Sequence, residues 1–365
     1  MKVKSVVVLL LFVVLFVSCG KRIPDTFTAE MIDGVKNVHN LSPQWGDEKR
    51  ITLEHVRTIG GLENADENFQ FNKVKDIALD KTGNIYILDA GNHRIQKYDK
   101  DWNYLSTIGR MGQGPGEFTY PGSIEVDKDG NIYVGNGSIE GIKVFDSNGK
   151  EIRRIELEKF TGFIRLAESG EIVSSRLNYH SSVGYLVDPR LLPLVHIYEN
   201  DGTFINEFCQ PKDYDLPGLA NAEGNEMIHA VDEDENVYVA FAGQNRIEKF
   251  TLTGDKLFQS DRTLAYEAGT EIIPGLNALV TTPVSYDADV DEKNRLWILS
   301  NAKQPVQEGK TKEYFLEFEV LDSDGILLAK IPFPDVGFTE KFRIYKNMLY
   351  LIQRYQVYEY CIVEK

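Results

Sequence analysis

The chain has 365 residues, with 40 lysines and arginines against 56 aspartates and glutamates, for a formal charge of −16. A body this acidic repels phosphate backbones and anionic headgroups, which sets nucleic acid aside as a partner. The length allows one large all-β domain or two smaller ones, and three cysteines are too few for a scaffold of disulfides.

At the N-terminus, Lys2 and Lys4 precede an unbroken apolar run from Val6 to Val17, and "FVSC" then places Ser18 directly before Cys19. The run is too short for a comfortable permanent span, so residues 1–18 read as a signal peptide. The cysteine at the cut makes the segment resemble a bacterial lipobox, with Cys19 as the lipidated first residue of the mature protein. Each buried methylene of an acyl chain adds about 0.8 kcal/mol, so a multiply acylated Cys19 anchors the body to a membrane without threading through it. Removing Lys2 and Lys4 leaves 38 basic against 56 acidic residues, or about −18. Residues 19–50 contain Pro24 and Pro43 and no sustained period, and they read as a tether in which only "MIDGVKNV" has the makings of an ordered patch.

From Ile51 the texture becomes that of strands. "DKTGNIYIL" at Gly83 returns as "DKDGNIYVG" at Gly130 and "AESGEIVSS" at Gly170. It continues as "DEDENVYVA" at Glu235, "DEKNRLWIL" at Asn294 and "IYKNMLYLI" at Asn347. The spacings of 47, 40, 65, 59 and 53 residues bracket the period of a four-stranded propeller blade. Within a unit, a strand such as "SIEVD" leads through the anchor turn to "NIYV", then to "IKVFD", a second turn and "EIRRIEL". One such sheet cannot cover both of its apolar faces, and a closed ring of sheets does. The last unit supplies only three strands, while "ITLEHVRTIG" at 51–60 stands alone before the first complete blade. Pairing of that orphan with the C-terminal blade closes an all-β, six-bladed β-propeller of four-stranded blades over residues 51–365. Cys209 and Cys361 then fall in opposite blades, 3 and 6, and are expected to be unpaired.

The stretches "RMGQGPGEFTYPGSIEVDKDGNIYVGN" and "DAGNHRIQKYD" are similar to NHL repeats, and the whole chain resembles the TolB-like six-bladed propeller lipoproteins of the Bacteroidetes group. The resemblance implies a cell-envelope protein held to the outer membrane through Cys19. "GKRIP" after that cysteine lacks the early acidic cluster linked by the same resemblance to surface export, which points to the periplasmic side. Propellers of this kind include binding modules, lyases and lactonases, so function must come from the site.

Topology places the long connections 174–194, 209–226, 260–284 and 300–313 on one face, opposite the anchor turns. Loops this long in a compact domain usually act, and that face is the expected ligand side for a small molecule, a glycan or a protein. Counting back from the anchors puts Asp76, Ser123, Phe163, Ile228, Asp287 and Glu340 at equivalent positions near the channel entry. The carboxylates could hold a divalent cation such as calcium, or simply be solvated strand ends; no other cofactor is indicated and no metal-ligand motif is present. Among six histidines, His93 and His55 read as structural and His229 as a core residue. His180 sits beside Arg176 and Tyr179 in the blade 3 insertion. With Arg110 of "GRMGQGPGEF", these offer a guanidinium fork and an aromatic face to anionic or sugar ligands, although Arg110 could instead only shape its loop. The glycine run is not followed by the Lys-Ser/Thr pair of a phosphate loop. The reading is a monomeric, lipid-anchored binding module for a glycan, a peptide or an envelope-protein partner; the alternative is a metal-dependent lyase or lactonase-type hydrolase at the channel mouth.

Overall fold

An aspartate at the start of a tight turn can satisfy the backbone N–H groups two and four residues on, and the repeat encodes this cap. In the computed structural model of the chain, Asp80 accepts from the N–H groups of Thr82 and Asn84 at 2.9 Å each, and from Asn84 Nδ2 at 2.8 Å. Asp127 does the same with Asp129 and Asn131, and Asp291 with Lys293 and Arg295. The anchor itself is left-handed: φ is +88° at Gly83, +82° at Gly130, +63° at Glu235 and +55° at Asn294. Glycine adopts that region without steric cost, which is why it recurs there.

The structure describes residues 25–136, 141–157, 161–176, 193–214, 224–268, 270–273, 278–308, 311–339 and 341–365. Within them six blades follow one another. Blade 1 comprises Val74–Leu79, Ile85–Asp89, Arg94–Tyr98 and Tyr104–Ile108. The inner strands of blades 2 to 6 are Pro121–Val126, Thr161–Leu166, Met227–Val231, Ser285–Val290 and Lys341–Tyr345. Each inner strand lies against the next, and that of blade 6 lies against that of blade 1.

Alternation along the second strand distributes the core. In "IYIL", Ile85 and Ile87 pack toward blade 6, while Tyr86 and Leu88 pack toward blade 2. All six apolar clusters of the described residues are such junctions, from blades 1 and 2 round to blades 6 and 1. The core is therefore six blade-to-blade seams, and removing one blade would expose two of them.

Closure follows the expected pairing. Ile51–Gly60 runs antiparallel to Gln356–Glu364, with Glu54 opposite Cys361 and Ile59 opposite Val357, and supplies the outermost strand of blade 6. Cys209 is buried and Cys361 half-buried, and both are free thiols.

The tether reading of residues 19–50 requires correction beyond residue 25. Phe27–Ile32 and Val35–Asn40 form a hairpin whose second strand pairs in parallel with Lys256–Arg262, widening blade 4 to six strands. The anchor of this addition is Asn40, which is 1% exposed. Its Nδ2 donates to Ser260 Oγ, Asp261 O and Gly325 O at 2.9–3.0 Å, and its Oδ1 accepts from Leu327 N at 2.8 Å, so one amide joins blades 4 and 5. Trp45 then packs against the seam of blades 5 and 6. The ordered patch expected at "MIDGVKNV" is the turn end of this hairpin; the polar, unperiodic sequence concealed the rest because a strand added at an outer edge needs backbone pairing more than an apolar face. Replacing Asn40 by Ala orphans the buried Leu327 N–H and should lower stability by about 2 kcal/mol, read as a shift in denaturation midpoint at constant m-value. Residues 1–24, with Cys19, lie outside the described residues.

Candidate functional site

The channel-entry positions are built into the joints between blades. Asp76 accepts from its own neighbour Ile77 N at 2.9 Å and from Ile124 N of blade 2 at 3.2 Å. Ser123 Oγ accepts from Ile164 N of blade 3 at 3.2 Å, and Asp287 accepts from Phe342 N of blade 6 at 2.8 Å. At three of six junctions the same position thus staples the next blade's inner strand. Phe163 and Ile228 carry no acceptor and make no such staple.

The sixth position is not Glu340, which lies outside the described residues. Strand pairing puts Lys341 opposite Ile352, as Asp76 is opposite Leu88 and Asp287 opposite Leu299. The turn of blade 6 is one residue shorter than the others, and its left-handed residue is Lys346 rather than Asn347. Counting from the sequence anchor therefore fell one short, and a cation replaces the expected carboxylate.

That lysine joins a chain of charges across the channel. Arg343 donates to both Asp76 oxygens at 2.8 Å through Nε and Nη2, and Lys341 Nζ lies 3.2 Å from Asp76 Oδ2. Arg343 Nη2 also reaches Glu125 Oε1 at 3.2 Å, which Arg165 Nη1 meets at 3.4 Å. Burial opposes ionisation of Asp76, but Arg343, Lys341 and Arg165 overcome it and hold the carboxyl well below the usual range. For Asp287 burial wins against Lys341 and Arg165, and its carboxyl is pushed up to about 6. His229 is the expected core histidine: buried, bonded to the backbone of Val173, and held neutral by burial and by Arg165.

The raised carboxyl has a testable sign. Between about pH 4 and pH 6 the folded chain keeps a proton on Asp287 that the unfolded chain has lost, so this residue makes stability fall as pH rises through that window. Two units correspond to about 3 kcal/mol at most. Replacing Asp287 by Asn should flatten the wild-type minus variant stability difference above pH 6 and leave it sloping below; melting temperatures at stepped pH measure it.

Of the other candidates, Arg110 is four-fifths exposed and pairs through Nε with Glu117 Oε1 at 2.8 Å. Glu117 Oε2 in turn accepts from Gly114 N at 2.9 Å, so this pair shapes the "GQGPGEF" loop. Phe118 at its end fills the space above Gly109, where an added Cβ would sit 2.2 Å from the ring. Arg176 ends the second strand of blade 3, opposite Thr161. Tyr179 and His180 lie outside the described residues.

The long-loop face presents two features that the sequence did not single out. Tyr286, at the bulge of blade 5's inner strand, meets Tyr314 and Phe338 from the connections on either side. Tyr314 and Phe338 stack at 3.9 Å between centroids, and Asn301 Nδ2 donates to Tyr286 Oη at 2.9 Å. Phe338 is more than a third exposed. Beside blade 4, a cavity of about 350 Å³ is lined by Lys212, Tyr214, Gln244 and Arg246. The Arg246 guanidinium there lies 3.8 Å from the centre of the Phe241 ring. The blade 5 connections fold as short hairpins, Thr270–Ile273 with Ala278–Thr281 and Val306–Glu308 with Thr311–Glu313. A separate cavity of about 400 Å³, in the channel itself, opens on the opposite face, among the anchor turns. Among the described residues no cluster of three or more His, Cys, Asp or Glu is placed to hold a metal ion.

Residues 61–181 match the DUF5128 family, described as a 6-bladed beta-propeller. NHL repeat-containing protein 3 of Homo sapiens is 33% identical over 85 residues, which are 22% of this chain and 24% of that protein, so the match spans about a quarter of the relative's length. Two Bacteroides structures share the fold over nearly their whole length. A DUF4221 family member from Bacteroides vulgatus gives a TM-score of 0.60 at 12% identity, covering 87% of this chain and 99% of that one. A protein of Bacteroides fragilis named as exported gives 0.58 at 11%, covering 90% and 99%. Blade count, closure and the two Bacteroides folds agree that the chain is a six-bladed β-propeller, with a stretch of about 85 residues similar to NHL repeats.

Proposed function

We propose that this propeller is an exported binding module, anchored through a lipidated Cys19 in the cell envelope, whose long-loop face receives a glycan. The observation that carries the reading is the shelf of Tyr286, Tyr314 and Phe338 at the channel mouth. Flat aromatic faces accept the C–H face of a pyranose, and the neighbouring Tyr286 hydroxyl, held in place by the buried Asn301 amide, suits its polar rim. The channel carboxylates support binding over metal-dependent lysis: Asp76 and Asp287 already hold backbone N–H groups of the next blade, and Asp76 is further committed to two cations.

The test is calorimetric titration of the intact protein with a panel of oligosaccharides and peptides, repeated on Tyr314→Ala and Phe338→Ala. A glycan whose affinity falls about tenfold or more in both variants, at unchanged melting temperature, is the expected result. Glycan binding indifferent to both substitutions, or binding of peptides alone, would overturn the assignment.

A further inference from the structure

The cavity on the anchor-turn face has a construction of its own. Its mouth is a collar of six aliphatic side chains, one from the end of each inner strand: Leu79, Val126, Leu166, Val231, Val290 and Ile344. One step deeper, four charged residues form the floor: Glu125, Arg165, Asp289 and Arg343. These six also pack into the blade seams, the rim outside them is polar, with Asp127, Lys128, Asp129 and Glu168, and the floor carries two cations and two carboxylates.

The floor is incompletely used. Arg165 is only 7% exposed, and its hydrogen bonds run through Nη1, to Ile164 O at 3.2 Å and Glu125 Oε1 at 3.4 Å. Among the described residues its Nη2 has no hydrogen-bond partner, and neither has Glu125 Oε2, since both arginines contact Oε1. Asp289 spends one lone pair of each oxygen on Val290 N and Ile344 N, at 3.0 and 2.8 Å, and keeps the rest. An open donor therefore stands beside open acceptors at the bottom of a cup whose wall is a ring of aliphatic side chains below a charged rim.

We propose that this cup is a second binding site, for a free α-amino acid with an apolar side chain. Its carboxylate would take Arg165 Nη2, its ammonium Glu125 Oε2 and Asp289, and its side chain the collar. With two charges of each sign on the floor, a guest of net charge gains one attraction and meets one repulsion, whereas a zwitterion answers both. The cavity volume accommodates a branched side chain together with its head group. This site faces away from the aromatic shelf and is independent of the glycan reading.

Titration of the intact protein with L-leucine, with 4-methylpentanoate, which lacks the ammonium, and with 3-methylbutylamine, which lacks the carboxylate, separates the alternatives. The expected result is that leucine binds and each half-molecule binds at least about tenfold more weakly. Arg165→Gln and Glu125→Gln should each cost leucine a similar factor. Because those two join the charge chain, Val231→Phe serves as a second variant that fills the collar without touching any charge, and it should abolish leucine binding while the protein still melts in one cooperative transition. Tyr314→Ala should leave leucine binding intact. Absence of leucine binding, equal binding of either half-molecule, or leucine affinity unchanged in Val231→Phe would overturn the proposal.

Discussion

Replacing Asp76 by Ala is expected to destabilise the protein by about 3–5 kcal/mol, a large share of the 5–15 kcal/mol that holds an ordinary domain together. The residue is fully buried, and its removal leaves Arg343 and Lys341 inside the channel without their main counter-charge. It also deprives Ile124 N of its acceptor at the joint of blades 1 and 2. Most of the loss reflects stranded cations, so a double replacement with Arg343→Met should recover part of it. Acid should mimic the single variant: the folded-state carboxyl is held below its unfolded value, so its contribution is present above about pH 4 and disappears as pH falls further. Denaturant melts of wild type and both variants at neutral and acid pH measure these effects.

Deleting residues 25–60 should have the largest effect, abolishing the cooperative melt. The deleted strand covers the Gln356–Glu364 edge over nine residue pairs and brings Ile51 and Ile59 into the two seams that flank blade 6. Each fully buried isoleucine is worth about 2 kcal/mol in transfer alone, and the exposed edge would invite pairing between chains. A milder variant, Ile59→Asp, buries an unpaired carboxylate in the seam of blades 6 and 1 and should cost about 3 kcal/mol or more. Circular dichroism on heating, with size-exclusion chromatography to detect association, reports on both.

Ring and closure were legible because they follow from periodic features. The anchor turns repeat an aspartate cap and a left-handed residue, and an orphan first strand beside a three-stranded last unit admits one pairing. His93 was also legible as part of a turn: it is left-handed at φ +55°, beside the buried Asp89 that accepts from Asn72 N, Asn92 and Arg94. Of the hairpin at 27–40 only the "MIDGVKNV" turn region was legible, since its hold depends on Asn40 meeting two carbonyls and a hydroxyl far away in sequence. The register of blade 6 was missed because one turn is a residue shorter, which no propensity marks. The site was the least legible part. Asp76 and Asp287 were found by position, yet whether a carboxylate awaits a ligand or already holds the neighbouring blade depends on contacts between residues 48 and 55 apart, or more, in the chain. Tyr286, Tyr314 and Phe338 lie on three separate segments, and only the fold brings them together.

The central claim is that the channel carboxylates hold blades together rather than a metal. Its most direct test is the melting temperature of wild type and Asp287→Asn at neutral pH, with and without millimolar calcium. The asparagine keeps an acceptor for Phe342 N and removes a buried charge, so the variant should melt at or above the wild-type temperature, and calcium should move neither. A calcium-dependent rise in the wild-type melting temperature that Asp287→Asn abolishes would contradict the claim and return the channel to catalysis.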